Sequence, residues 1–168
     1  MKNLTVPDVT FKTRIRNDAI EGDNPFEWKD LTSAEIFKGK RVVLFSLPGA
    51  FTPTCSSAHL PSFMRTKPGF DAKGVDDIIC VAVNDPHVMK AWGAATGATE
   101  AGLTLLADAD SSFTTAIGMD FTAPPAGYFA RSVRYSMYVE DGIVRVLNVE
   151  ESRALCEISG GEALLDQI

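Results

Sequence analysis

Residues 78–83, Ile-Ile-Cys-Val-Ala-Val, form an apolar run without a polar break. A strand with one wet face alternates apolar and polar residues, whereas a strand covered on both faces does not. The run therefore predicts a strand inside a sheet that is layered on both sides. Val42-Val43-Leu44-Phe45 and Leu103-Thr104-Leu105-Leu106-Ala107 repeat the pattern. Helical patterns lie between these runs. Leu60, Phe63 and Met64 recur at i, i+3 and i+4. Val88, Met89 and Trp92 follow an Asp85-Pro86 helix start. The β-α-β-α-β order predicts a parallel half-sheet.

The flanking segments read differently. Val9, Phe11 and Thr13 alternate with polar residues and predict a hairpin with Phe26-Glu27-Trp28, turning at Gly22-Asp23-Asn24-Pro25. Thr32 and Glu35 match a capping box on a short helix. Asp108-Ala109-Asp110 precedes a short helix to Gly118, and Ala123-Pro124-Pro125-Ala126-Gly127 reads as a loop. Val133, Tyr135, Met137 and Val139 alternate with Arg134, Ser136, Tyr138 and Glu140, predicting a strand with two unlike faces. Asp141-Gly142 signals a tight hairpin into Ile143–Val149, and Gly161–Ile168 predicts a closing helix. The sum is an α/β chain with a central mixed β-sheet and helices on both faces. A thioredoxin-like fold has this element order. A length of 168 residues suits a single domain spanning 1–168.

Composition narrows the function. The net charge of −6 disfavours non-specific binding to nucleic acid or anionic membranes. No run approaches the roughly 18 apolar residues of a membrane span, and the N-terminal residues lack the apolar stretch of a signal peptide. A cytoplasmic location is expected. The three cysteines, Cys55, Cys80 and Cys156, are sparse and odd in number, and no C-x-x-C occurs. That argues against a disulfide framework. Together with two histidines they show no metal-ligand spacing.

Chemistry concentrates at Leu47-Pro48-Gly49-Ala50-Phe51-Thr52-Pro53-Thr54-Cys55, between the first apolar strand and the helix that carries Leu60. Strand-to-helix turns are where α/β proteins place chemistry. Thr52 is a good N-cap and Pro53 a good first helical residue. Cys55 then sits in the first helical turn, where free N–H groups and the helix dipole favour a thiolate. Pro61 lacks an N–H for the Ser57 carbonyl and should kink the helix one turn later. His59, on the same face as Cys55, could tune the thiolate, although a packed or surface histidine is the simpler reading. Trp28 and Trp92 read as core or interface residues. Arg134, taken alone, reads as a surface or ion-pair arginine.

Pro48-Gly49-Ala50-Phe51-Thr52-Pro53-Thr54-Cys55 resembles the P-x-x-x-T-x-x-C signature of peroxiredoxins. Extended through Ser56 and His59-Leu60-Pro61, it is similar to the type II, or peroxiredoxin-5, branch. Val83-Asn84-Asp85, Trp92, Leu106-Ala107-Asp108, Arg134-Tyr135-Ser136-Met137 and Asp141-Gly142-Ile143-Val144 through Leu147-Asn148-Val149-Glu150 continue the likeness. The resemblance implies a thiol peroxidase that reduces hydrogen peroxide and alkyl hydroperoxides, without metal or organic cofactor. It implies that Cys55 attacks the peroxide, Thr52 holds it, Pro48 shields the thiolate and Arg134 stabilises thiolate and leaving oxygen. It further implies recycling by thioredoxin, glutaredoxin or glutathione, and a homodimer.

Resolution of the oxidised cysteine stays open among three routes. Cys80 falls where plant-like members carry a second cysteine, yet it lies in the apolar run and reads equally as core. Cys156 lies near the position used by animal members. Direct attack by an external thiol is the third route. The branch usually has Phe where this chain has His87, a position that contributes to the dimer contact, so dimerisation could depend on pH. Other readings of Cys55 are a thioredoxin-like disulfide oxidoreductase, a peroxide-sensing protein without turnover and, more distantly, a cysteine hydrolase.

Overall fold

The computed structural model describes residues 4–168. Its centre is a five-stranded sheet in the order β5-β4-β3-β8-β9. Strands β3 (Arg41–Ser46), β4 (Asp77–Ala82) and β5 (Thr104–Ala107) are parallel. Strands β8 (Tyr135–Glu140) and β9 (Ile143–Val149) complete the sheet antiparallel.

The apolar runs are continuous because each strand feeds two cores. Val43 and Phe45 of β3 point into one, with Phe63 and Phe70 of α2 (Leu60–Ala72), Trp92 of α3 (Pro86–Thr96) and Leu164 of α5 (Gly161–Leu165). Val42 and Leu44 point into the other, with Ile36 and Phe37 of α1 (Ser33–Phe37) and Phe113 of α4 (Ser112–Ala116). Helices therefore cover both faces. Each fully buried side chain of this size contributes roughly 1.5–3 kcal/mol relative to exposure. Phe45 stacks on Phe63 with ring centroids 4.0 Å apart, and Phe63 on Phe70 at 6.0 Å.

The flanking elements form as their residues dictate. Strands β1 (Thr10–Arg16) and β2 (Phe26–Thr32) pair as the separate hairpin. The Thr32 hydroxyl accepts from the Glu35 amide while the Glu35 carboxylate returns to the Thr32 amide, the expected capping box. Asp85 accepts from the His87 and Val88 amides and starts α3. Buried Asp108 does the same for α4, accepting from the Phe113 and Thr114 amides and the Thr114 hydroxyl. The hairpin turn at Asp141-Gly142 has positive φ at both residues, 47° and 76°, as a primed turn requires.

Three expectations need correction. The segment around Pro124 is not a bare loop: β6 (Asp120–Ala123) and β7 (Tyr128–Ser132) form a hairpin whose turn is a 3-10 helix at Pro124–Ala126. Strand β8 does not have one wet face: Ser136 and Tyr138 are buried beside its apolar residues, Tyr138 in the core that Leu164 of α5 shares. Arg134 precedes β8 rather than standing on its polar side, and it is 2 % exposed. Among the described residues, no helix is long and apolar enough to cross a membrane.

Candidate active site

Sheet register brings Arg134 to Cys55. Ser46 pairs with Tyr135 across the antiparallel β3–β8 ladder, so the next step along sets Leu47 against Arg134 at the C-terminal end of β3. The same end of β4 leads to Asn84, which packs the turn from the other side. Its side-chain oxygen accepts from the Ala50 amide at 3.0 Å. Phe51 takes a positive φ of 63°, and its ring is 58 % exposed. Gly49 leaves room for Arg131: a Cβ there would lie 2.7 Å from Arg131 Nη1, displacing the guanidinium that donates to the buried Pro48 carbonyl at 3.4 Å.

Helical hydrogen bonding begins where the Ser56 amide donates to the Thr52 carbonyl. Thr52 thus caps through its backbone, and not through its hydroxyl as expected. That hydroxyl donates to the Gly49 carbonyl at 2.7 Å and tightens the turn, leaving its lone pairs free. Pro61 also acts differently. Its missing N–H is accommodated by a π-helical turn, Cys55–His59, closed by the Leu60 amide donating to the Cys55 carbonyl. Such single-turn insertions are frequent at functional sites.

Cys55 is 1 % exposed. Arg134 Nη2 donates to its sulfur at 3.3 Å, Nη1 faces His59 Nδ1 at 3.1 Å, and Nε and Nη2 donate to the Arg153 carbonyl at 3.3 and 3.0 Å. The guanidinium is buried with no carboxylate among these partners. A buried cation without a counter-charge is costly, and of the groups bonded to it Cys55 alone can become an anion. The fold thus aims a cationic donor that has no carboxylate partner at that sulfur.

His59 lies between Phe45 and Phe63 and is fully buried. Burial, and then the Arg134 cation, hold its ring down to about 3 against the opposing bond to Ser159. The neutral ring carries its proton on Nε2, which donates to the Ser159 carbonyl at 3.0 Å. Both carbonyls, Arg153 and Ser159, belong to the loop after β9. Glu150 anchors that loop by accepting from the Glu157 and Ser159 amides and the Ser159 hydroxyl at 2.7–2.9 Å. Burial raises the Glu150 carboxyl, but these bonds outweigh it and the group stays below the usual carboxylate range.

The other two cysteines differ sharply. Cys80 sits in the middle of β4, paired with Phe45 and Leu105, and burial pushes its thiol well above its ordinary range. Cys156 is half-buried in the loop that Glu150 anchors, with its thiol raised by burial and opposed by Arg134 and Ser159. All three are free thiols. Trp92 is buried and its indole N–H donates to the Ser56 hydroxyl at 3.0 Å, beside Cys55. His87 is exposed and meets Trp28 edge-on at 5.8 Å.

Sequence reasoning missed Arg131, Asn84 and the two loop carbonyls. Backbone acceptors have no sequence signal. His59 had one: its neighbours Leu60 and Phe63 are core residues, so its ring had to be buried and bonded.

The Redoxin family model matches residues 4–165 of the chain. A peroxiredoxin of Synechocystis sp. is 50% identical over 145 residues, covering 86% of this chain and 76% of that protein. A hybrid peroxiredoxin of Haemophilus influenzae is 43% identical over 150 residues, covering 89% of this chain and 58% of that protein. Among solved structures, reduced Prx3 of Vibrio vulnificus in complex with hydrogen peroxide shares 40% identity with a TM-score of 0.84, covering 99% and 94% of the two chains.

Proposed function

We propose, from the premise that this chain belongs to the peroxiredoxin family, that Cys55 is its peroxidatic cysteine and Arg134, Thr52 and Pro48 its supporting residues. The chain is a thiol-dependent peroxidase. Its substrate is a hydroperoxide and its reductant a thiol. The observation that carries the assignment is the buried Arg134 guanidinium donating to the Cys55 sulfur at 3.3 Å.

The Cys55 thiolate attacks one peroxide oxygen in line with the O–O bond. A sulfur–oxygen bond forms and the O–O bond breaks. The sulfur becomes a sulfenic acid, and the departing oxygen leaves with a proton as water or an alcohol. Charge moves from sulfur to the leaving oxygen, so a fixed donor reaching both lowers the barrier. Arg134 has five N–H groups in a rigid fork and keeps its charge throughout. The Thr52 hydroxyl, already donating to Gly49, has lone pairs to accept the peroxide O–H. Buried Pro48 keeps solvent from the sulfur.

A second thiol must then attack the sulfenic acid, forming a disulfide and releasing water. Cys156 suits this step within the chain better than Cys80. Its loop already contacts Arg134, His59 and, through the Ala154 carbonyl, the Thr54 hydroxyl at 3.5 Å. Cys80 would have to leave the centre of the sheet. A thioredoxin, glutaredoxin or glutathione would reduce the disulfide. Exposed Phe51 and Phe129, 58 % and 63 % exposed, stand on the two segments that the Arg131–Pro48 contact joins, and they support a homodimer across the mouth of this site.

Cys55→Ser should abolish peroxide consumption with a thiol donor, and retained turnover would overturn the assignment. Mass spectrometry after one equivalent of peroxide reads the resolving step. Loss of two hydrogens mapped to Cys55–Cys156 is expected. A stable gain of one oxygen would leave resolution to the external thiol, and a Cys55–Cys80 link would reverse the choice.

A further inference from the structure

One buried titratable group has no part in the reaction as described: His59. We infer that His59 is a positioning residue for peroxide reduction, setting the plane of Arg134 so that Nη2 faces the Cys55 sulfur. The inference rests on the peroxidase reading of Cys55 and Arg134 and adds to it.

A guanidinium is planar, so two acceptors on different edges fix its orientation. Here those acceptors are the Arg153 carbonyl on one edge and His59 Nδ1 on the other. Arg153 belongs to an exposed loop. His59 belongs to the same π turn as Cys55 and is wedged between Phe45 and Phe63. The acceptor that aims the fork and the sulfur it is aimed at therefore share one short piece of backbone. The ring itself is fixed by the second bond, Nε2–H to the Ser159 carbonyl.

Chemistry explains why the acceptor is a neutral ring. Nδ1 faces a permanent donor and Nε2 faces a carbonyl, so only one tautomer satisfies both. A carboxylate in that place would also accept from Arg134, but it would pair with the cation and compete with the thiolate for it. A neutral acceptor orients the guanidinium and leaves its charge for the sulfur and the departing oxygen. The depressed basicity of the buried ring keeps it an acceptor across the working pH range.

The test is the second-order rate of Cys55 oxidation by hydrogen peroxide, followed by stopped-flow fluorescence of Trp92. His59→Leu should lower that rate by about tenfold to a hundredfold, the size associated with one hydrogen bond to a charged group. His59→Gln can accept from Arg134 and donate to Ser159, so it should recover most of the loss. In an Arg134→Met background, His59→Leu should change the rate by less than about twofold, because residues acting through one another are not additive. An equal loss in both backgrounds, or no loss in either, would overturn the inference. Should the leucine variant not fold, the same cycle with His59→Asn, too short to reach Arg134, decides it. Failure of the peroxidase reading shows separately, as Cys55→Ser retaining the wild-type rate of peroxide consumption.

Discussion

Acid should destabilise this fold through His59. Its ring protonates at about 3 in the folded chain against an ordinary 6.5. The unfolded chain therefore takes up a proton that the folded chain refuses. Stability falls as pH drops below about 6.5 and the loss levels off near 3, with a slope between them of about 1.4 kcal/mol per pH unit. At pH 5 the accumulated loss is about 2 kcal/mol, a large share of the roughly 5–15 kcal/mol that holds a domain folded. The depressed carboxyls, Glu150 among them, work in another window. Their stability is present above their ordinary value of 4.5 and is lost only as pH falls further. Urea unfolding followed by tryptophan fluorescence, at pH 8 and pH 5 under reducing conditions, separates the two. Wild type should lose about 2 kcal/mol more than His59→Gln over that interval. Equal losses in the two proteins would refute the assignment of a neutral, buried His59.

Three further outcomes are expected. Glu150→Gln keeps an acceptor but removes the charge from three hydrogen bonds, so it should destabilise by about 1–3 kcal/mol and speed alkylation of Cys156. Gly161→Ala would set a Cβ 2.6 Å from the Ser62 carbonyl and against the Thr66 hydroxyl; overpacking of this kind should remove about 1–3 kcal/mol and lower the Tm. Phe129→Glu should reduce the dimer fraction in sedimentation velocity, and an unaltered dimer would remove that phenyl from the interface.

Much of the fold was legible because burial writes itself into the order of residues. Val42–Phe45 and Ile78–Val83 lack polar breaks since alternate side chains enter two different cores. Thr32 with Glu35, Asp85 with Pro86, and Asp141-Gly142 carried local chemistry that tertiary packing had no reason to override. The β6–β7 hairpin was hidden by Pro124-Pro125, whose turn signal masked two short strands with little burial. Ser136 and Tyr138 made β8 look half-wet, because a polar residue does not announce that a helical layer will cover its face. Within the site, Cys55 was marked by its own turn. The approach of Arg134 was a property of register, and the Arg153 and Ser159 carbonyls belong to the backbone, which every residue type supplies alike.

The π turn at Cys55–His59 also sets where the helix can fray. A terminal turn unravels by losing successive amide bonds, each loss easing the next, until it reaches a segment held by packing. Here the Ser56 amide on the Thr52 carbonyl and the Leu60 amide on the Cys55 carbonyl span the reactive residue. Pro61 follows with no amide to lose, and beyond it Phe63 and Phe70 are clamped in the core. Opening is thereby confined to one turn. Any outward movement of the turn that carries Cys55 is bounded on its far side by a residue with no amide bond to pass the unwinding on, so Cys55 should be releasable while the body of α2 stays wound.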